Sequence, residues 1–477
     1  MVLINDNKAV FYFISKDYDK DYLFNVKRKN SKGNIVSPWV KYHINVAEVR
    51  REIKDINDDE KGILSSYYLD KNCFSLYDLN YKKIYLKPKN NLNEIEFDIN
   101  KISIHSFESG ISYIELDYTI KTENEKDINT FNYFISEVKS GITIKIINKK
   151  WNEDKKETED FIGELFINDY IKLILSDYDN VYDLDFDNCF KYMSLKPTVF
   201  SYIYLKDCNE QIIKNVGVNM KESYKINNEF TKKTTYFENS SWYYNPNSVI
   251  NISYYVEDEI TNDFFKTTFR DKVANLYFLL FLISLHQKIY LIYNSYVVKN
   301  INYSTNDYIQ MKDLCDSIIL LKSRILQSKV KYFFSNPTFI EHVNLFYVNV
   351  QSSFLIVEMK QTLENDLVLI SEFVESNVKL ITDYRELKQE KRKCLTDVIS
   401  ILIATILSFV SLYDVFLKML NNFNISLNTT QHLIIATIFM MICLVIPTYF
   451  NLKNNIKKLR SIKNKMFHLN KLIISKK

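Results

Sequence analysis

Six residues near the C-terminal end are spaced to line a path for ions. Asp397, Ser400, Ala404, Ser408, Ser411 and Asp414 are separated by 3, 4, 4, 3 and 3 positions. On a helix they therefore share one face, which drifts slowly round the axis. Small side chains and hydroxyls with a carboxylate at each end suit the passage of a partly hydrated cation, because acids within a membrane usually face water or a partner. The same small residues would let two helices pack closely, so the stripe supports both a pore lining and a packing face. Asp397 can also pair with Lys393 at headgroup level.

Two other groups carry chemistry more weakly. Asp183, Asp185 and Asp187 alternate in SDYDNVYDLDFDN, which also contains Asp177 and Asp179, and on an extended segment they would share a face. A calcium loop of the helix–loop–helix kind needs Gly at its sixth position and Glu at its twelfth. Asn188 and Ser194 stand there, so the alternatives are a regulatory cation site and a solvated edge. Trp242, Tyr243 and Tyr244, before Asn245-Pro246, read as a turn that could stack a nucleotide base or as an ordinary packed loop. His286 reads as a helix-packing histidine. No HExxH or CxxC spacing occurs, and the six cysteines are scattered singly, as in a reducing compartment. No nucleophile–base pairing is visible, and the chain reads as a non-enzyme without a cofactor. A divalent cation enters only as a permeant or regulatory ion.

The elements that would hold the stripe are apolar. Val398–Tyr413 is uncharged, and so is His432–Phe450 with its histidine neutral. At ~1.5 Å per residue each approaches the ~30 Å of a bilayer core. Arg385, Lys388, Lys391, Arg392 and Lys393 precede the first. Nine Lys/Arg and no acid lie in 451–477. The segment 414–431 between them carries only Asp414 and Lys418. The positive-inside rule then predicts an inner-membrane protein with residues 395–450 as a transmembrane hairpin, 414–431 outside and both termini cytoplasmic. The basic segment 451–477 would lie on an anionic lipid surface. Residues 1–450 hold 53 basic against 58 acidic side chains, so no direct DNA or RNA binding is expected of the body. Six glycines in 477 residues, none adjacent, exclude a phosphate-cradling loop. The short apolar run Ala9–Ile14 does not make a signal peptide.

Upstream, 1–263 reads as an α+β, strand-rich sensing domain. Period-two alternation runs through Ile95, Phe97 and Ile99 and through Ile142, Ile144 and Ile146, with further strands at Val10–Ile14, Ile111–Ile120, Val199–Leu205 and Val249–Val256. A boundary within it is expected near 150–160. Residues 264–394 read as a helical stalk. Thr338 to Ile446 contains neither Gly nor Pro, and Leu363, Leu367, Ile370, Val374, Ile381 and Tyr384 follow 3–4 spacing. The spacing predicts one helix from about Val343 into the membrane near Tyr413.

This layout resembles the CorA family of two-helix cation channels: a large cytosolic α+β domain, a long stalk helix entering the first span, a short outer segment, a second span and a basic tail. The resemblance covers about 263–477 by pattern. The family's Gly-Met-Asn triplet is missing, with Ser411-Leu412-Tyr413-Asp414 in its place, which removes the family's basis for magnesium selectivity. A branch that accompanies type III CRISPR systems matches the large N-domain and missing triplet better. The resemblance implies a homo-oligomer, a pentamer, acting as a membrane effector in antiphage signalling and gated by a nucleotide second messenger. The alternatives are a constitutive magnesium transporter and a non-conducting membrane-anchored receptor or scaffold.

Overall fold

The computed structural model describes all residues except 15–21, 31, 45, 47, 57–61, 80, 82, 88–93, 137–142, 153–156, 178–196, 208–231, 302–307, 423–428 and 476–477. Fourteen strands are described: β1 (Val2–Ile14), β2 (Arg28–Lys29), β3 (Ile35–Val36), β4 (Trp39–Tyr42), β5 (Leu64–Leu69), β6 (Lys83–Lys87), β7 (Ile95–Phe107), β8 (Ile111–Ile120), β9 (Thr143–Asn152), β10 (Glu157–Phe166), β11 (Thr198–Leu205), β12 (Lys232–Phe237), β13 (Ser240–Asn245) and β14 (Ser248–Tyr254). Twelve form one mixed sheet: ten in the order β10-β9-β6-β7-β8-β1-β11-β14-β13-β12, with β5 joined to β7 and β4 to β5 beside that path. The long β7 pairs with β6 through its first half and with β5 through its second. Among the described strands only β11 and β14 run parallel, and the other pairs are hairpins or antiparallel returns. The β7–β8 turn closes on Gly110 at φ +84°, a conformation that costs glycine little. The β9–β10 hairpin spans the boundary expected near 150–160, so no division falls there.

Alternation gives the sheet two apolar faces, each covered by helix. On one, Ile114, Leu116, Tyr118 and Ile120 join Phe11, Ile102 and Ile104 in a core closed by Ile128, Phe131 and Ile135 of α3 (Glu125–Ser136) and Tyr170 and Ile174 of α4 (Ile167–Ile174). Here α1 (Tyr22–Asn25) and α2 (Arg51–Ile56) are short connecting helices. On the other face Phe200, Trp242 and Phe107 meet α5 (Glu259–Lys299) through Phe278, Phe281, Tyr277 and His286. The run from Leu276 to Leu285 is buried throughout, and each such Leu or Phe contributes ~1.5–3 kcal/mol. A helix apolar on every side needs an apolar surround, and the sheet provides one.

The chain divides into two units, Met1–Val297 with Gln327–Leu363 and Val298–Leu326 with Glu364–Lys477. The expected boundary at 263 is therefore displaced: most of α5 belongs with the sheet, as does α7 (Glu341–Ser353). Nor is there one helix from Val343. Phe354 turns into the core at 2% exposure, and Leu355 takes φ +55° before α8 (Ile356–Asn422) begins. With no glycine after Gly217 to adopt that backbone, a leucine does so.

In the second unit, Ile318 of α6 (Tyr308–Tyr332) and Val374 of α8 form a small core with Leu314, Ile370, Val378 and Ile381. Helix α9 (Thr429–Met440) continues through a π turn, Met441–Val445, into α10 (Ile446–Ser475). Pro447 lacks a donor and would clash with a regular turn, and the π turn just before it is where the helix adjusts. The expected outer segment shortens, since α8 runs on to Asn422 and α9 starts at Thr429. The expected basic tail is the helix α10 itself.

Candidate membrane-facing site

Among the described residues, three helices are long and apolar enough to cross a membrane: Glu259–Lys299, Ile356–Val415 and Ile434–Leu469. Their surroundings differ. The apolar window of the first is 83% buried inside the fold, against 0% and 6% for the other two.

Helices α8 and α10 run antiparallel. Glu390 pairs with Lys458 at 3.2 Å, and one turn further along α8 the Cys394 Sγ lies 3.6 Å from the Asn455 carbonyl. Burial follows heptad spacing on both. On α8, Cys394 is buried and Val398, Ile401, Thr405, Ser408 and Leu412 are half-buried, while Leu402, Ile403, Ile406 and Leu407 are exposed. On the other side Ala436 and Ile462 are buried, with Leu444, Thr448, Leu452, Asn455 and Leu459 half-buried. Steps of 3 and 4 mark a seam between helices. Nearer the sequence start of α8, the helices part around an open groove of about 620 Å³ lined by Asp383, Glu386, Leu387, Glu390, Lys465, His468 and Leu469.

The polar stripe is offset from this seam. Asp397, Ser400, Ala404, Ser411 and Asp414 are exposed, and only Ser408 belongs to both sets. Most of the stripe therefore lies on the surface of one chain. The hydroxyls nearby are satisfied within their own helices: Thr405 donates to the Ile401 carbonyl at 2.6 Å and Thr448 to that of Leu444 at 2.7 Å.

Elsewhere the structure corrects one expectation. Trp242, Tyr243 and Tyr244 are not a turn but the centre of β13, with exposures of 1%, 5% and 0%. Trp242 stacks on Tyr277 at 5.0 Å and packs on Phe346 at 4.5 Å, so its ring faces are used by the core, not open to a base. Asp183, Asp185 and Asp187 lie outside the described residues. Asp177, at the edge of that acidic run, is a buried anchor: it takes Arg28 Nε at 2.7 Å, Trp39 Nε1 at 2.9 Å and the Tyr77 hydroxyl. His286 is a packing histidine, stacked on Phe107 at 3.8 Å.

One cluster was not foreseen. Beneath α5, Ser66 Oγ lies 2.9 Å from His105 Nδ1, and His105 Nε2 lies 2.9 Å from Glu115 Oε2. Lys8 bonds the other Glu115 oxygen and reaches Asp117 at 3.2 Å. Burial alone would lower Lys8, but Glu115 and Asp117 outweigh it and hold the ammonium above its ordinary value. Burial likewise acts to raise Glu115, and Lys8, followed by His105, holds it far below the carboxylate range. Burial pulls His105 down against the attraction of Glu115. The Ser–His–Glu line has the form of an acyl-transfer relay, but exposures of 1%, 0% and 1% leave Ser66 no face for a substrate. It acts as a buried brace between β5, β7, β8 and β1. Alternation of Lys101, Ser103 and His105 in β7 and of Glu115 and Asp117 in β8 was the available signal.

No family model matches the chain, and neither curated proteins nor solved structures yield a match.

Proposed function

We propose that this chain is a subunit of a homo-oligomeric, CorA-like membrane channel whose two-helix hairpin, α8 with α9–α10, spans an inner membrane. Two helices cannot enclose a hydrated path, so several copies must contribute. The observation that carries the reading is the offset between seam and stripe. Val398, Ile401, Thr405 and Leu412 are half-buried within the chain, while Asp397, Ser400, Ala404, Ser411 and Asp414 are exposed on the same helix. In a ring of subunits that surface would line the axis. Helix α5 is read as a core helix because its window is largely buried in protein.

Charge placement supports one orientation. The basic residues 385–393 of α8 lie beside the basic stretch 453–465 of α10, as the Glu390–Lys458 and Cys394–Asn455 contacts require. Both therefore sit at one end of the hairpin, the cytoplasmic end by the positive-inside rule. Asp414 falls at the other. Repeated round a ring, it would concentrate cations at the outer mouth and titrate as a coupled set. The sheet domain would then be the cytosolic sensor, and a nucleotide-gated antiphage effector is the role that the family resemblance suggests for it.

Flux through proteoliposomes tests the reading. Asp414→Asn is expected to lower cation-over-anion selectivity and Asp414→Lys to lower it further, with oligomer mass unchanged. Unaltered selectivity in the lysine variant would sink the carboxylate ring. Rescue of a magnesium-uptake mutant without added signal would favour the constitutive transporter instead.

A further inference from the structure

The second unit carries two apolar stripes that its own fold leaves uncovered. On α6, Ile319, Leu320 and Leu326 are 58%, 54% and 63% exposed, although Ile318 beside them is 2% exposed and packed on α8. On α8, Leu369 and Phe373 are 64% and 37% exposed, next to Val374 at 1%. One residue along a helix is a turn of about 100°, so each stripe faces away from the α6–α8 contact. Ile319 and Leu326 are seven apart and Leu369 and Phe373 four apart, so each pair shares a face. Both stripes lie outside the uncharged stretches Val398–Tyr413 and His432–Phe450, among charged residues where lipid would not cover them.

The charges differ in sign. From Ser317 to Leu326 there are Lys322 and Arg324 and no acid. From Gln361 to Val378 there are Glu364, Asp366, Glu372 and Glu375 and no base. Two copies that met α8 to α8 would oppose acid with acid, and α6 to α6 base with base. The pairing that removes both conflicts is α6 of one copy against α8 of another, which a head-to-tail ring of the homo-oligomer proposed above repeats at every boundary and a two-fold pair would use twice.

We infer that Ile319, Leu320 and Leu326 of one subunit dock on Leu369 and Phe373 of its neighbour, with Lys322 opposite the Asp366/Glu372 flank, as the soluble part of the ring interface. The inference rests on the homo-oligomer reading above and adds to it a surface and a polarity.

Cysteine cross-linking of the full chain in membranes separates the two claims. Under oxidation the double variant Leu326→Cys/Leu369→Cys is expected to give a covalent ladder up to the whole ring. Each single variant should give no more than the background of the native cysteines. A mixture of the two single variants should stop at dimers. Glu372→Lys should reduce the oligomer severalfold, and adding Lys322→Glu should restore it. Cross-linking of Leu369→Cys alone as strong as that of the double variant, or a double-variant product that stops at the dimer, would mean a two-fold contact and overturn the proposal. So would an oligomer intact by native mass with no ladder, since another occupant would then cover the stripes. A strict monomer by native mass overturns the homo-oligomer reading itself.

Discussion

Helix α5 and the first apolar stretch of α8 are both long and apolar enough to cross a bilayer, yet 83% of one window is buried in the fold and none of the other is. Their polar residues show the same contrast. In α5, Gln287 donates to the Tyr332 carbonyl and to the Tyr347 hydroxyl, and His286 stacks on Phe107 of the sheet. These partners belong to other elements, whereas Ser284 and Asn294 bond back to the Leu280 and Tyr290 carbonyls of α5 itself. In α8 and α10, Thr405 and Thr448 bond back to their own helices. A helix in lipid must satisfy its polar groups internally, whereas a core helix can borrow partners from its neighbours. Apolarity alone therefore does not separate the two helices, and burial by other elements of the fold does.

Substitutions can break or sharpen that contrast. The largest effect is expected from Phe281→Asp, which places an unpaired charge where exposure is 0%. The cost should exceed ~4 kcal/mol, so the sheet domain should lose protease resistance. A folded, protease-resistant variant would mean that α5 is not a core helix. Next is Lys8→Met, beneath α5, which leaves Glu115 without its main counter-charge. We expect a loss of ~3–5 kcal/mol, read by chemical denaturation in detergent.

The same cluster sets a pH dependence. His105 and Glu115 both have folded values below their ordinary ones, so on acidification the unfolded chain takes up protons first. Their stabilisation is complete above ~6.5, and falls first through His105 below ~6.5 and then through Glu115 below ~4.3. Lys8 acts oppositely: its contribution is complete below ~10.4 and is lost only as pH rises through its raised folded value. Glu115→Gln should flatten the acid limb below ~4.3, and an unchanged limb would remove Glu115 from this account.

Smaller effects belong to α8. Ile406 is 67% exposed, and Ile406→Lys should cost ~2.5–3.5 kcal/mol in membrane insertion while leaving unfolding of the sheet domain unchanged. Ile406→Ala should change stability by only ~0.5 kcal/mol, against ~2–5 kcal/mol for Leu282→Ala in α5. Equal costs for the two alanine variants would show that Ile406 packs in protein.

The sequence by itself determined the periodic features. Alternation at Ile95, Phe97 and Ile99 located the start of β7, and the strands read at Ile111–Ile120 and Val199–Leu205 fall on β8 and β11, because side-chain direction along a strand is a local property. Uncharged length located the apolar stretches of α8 and α9–α10, and spacing alone put Asp397 through Asp414 on one face. What only the tertiary structure decided depends on partners far along the chain. Trp242–Tyr244 lead into the turn at Pro246-Asn247, and local turn residues misplaced them until β13 was paired with β12 and β14. The Lys8–Glu115 bond joins residues 107 positions apart, a contact no local pattern encodes. The break at Leu355 follows from Phe354 entering the core, not from any glycine or proline. The exposure of the polar stripe likewise depends on the Val398–Leu412 seam taking the adjoining face. Periodicity says which residues share a side, but the packing of other elements decides what that side meets.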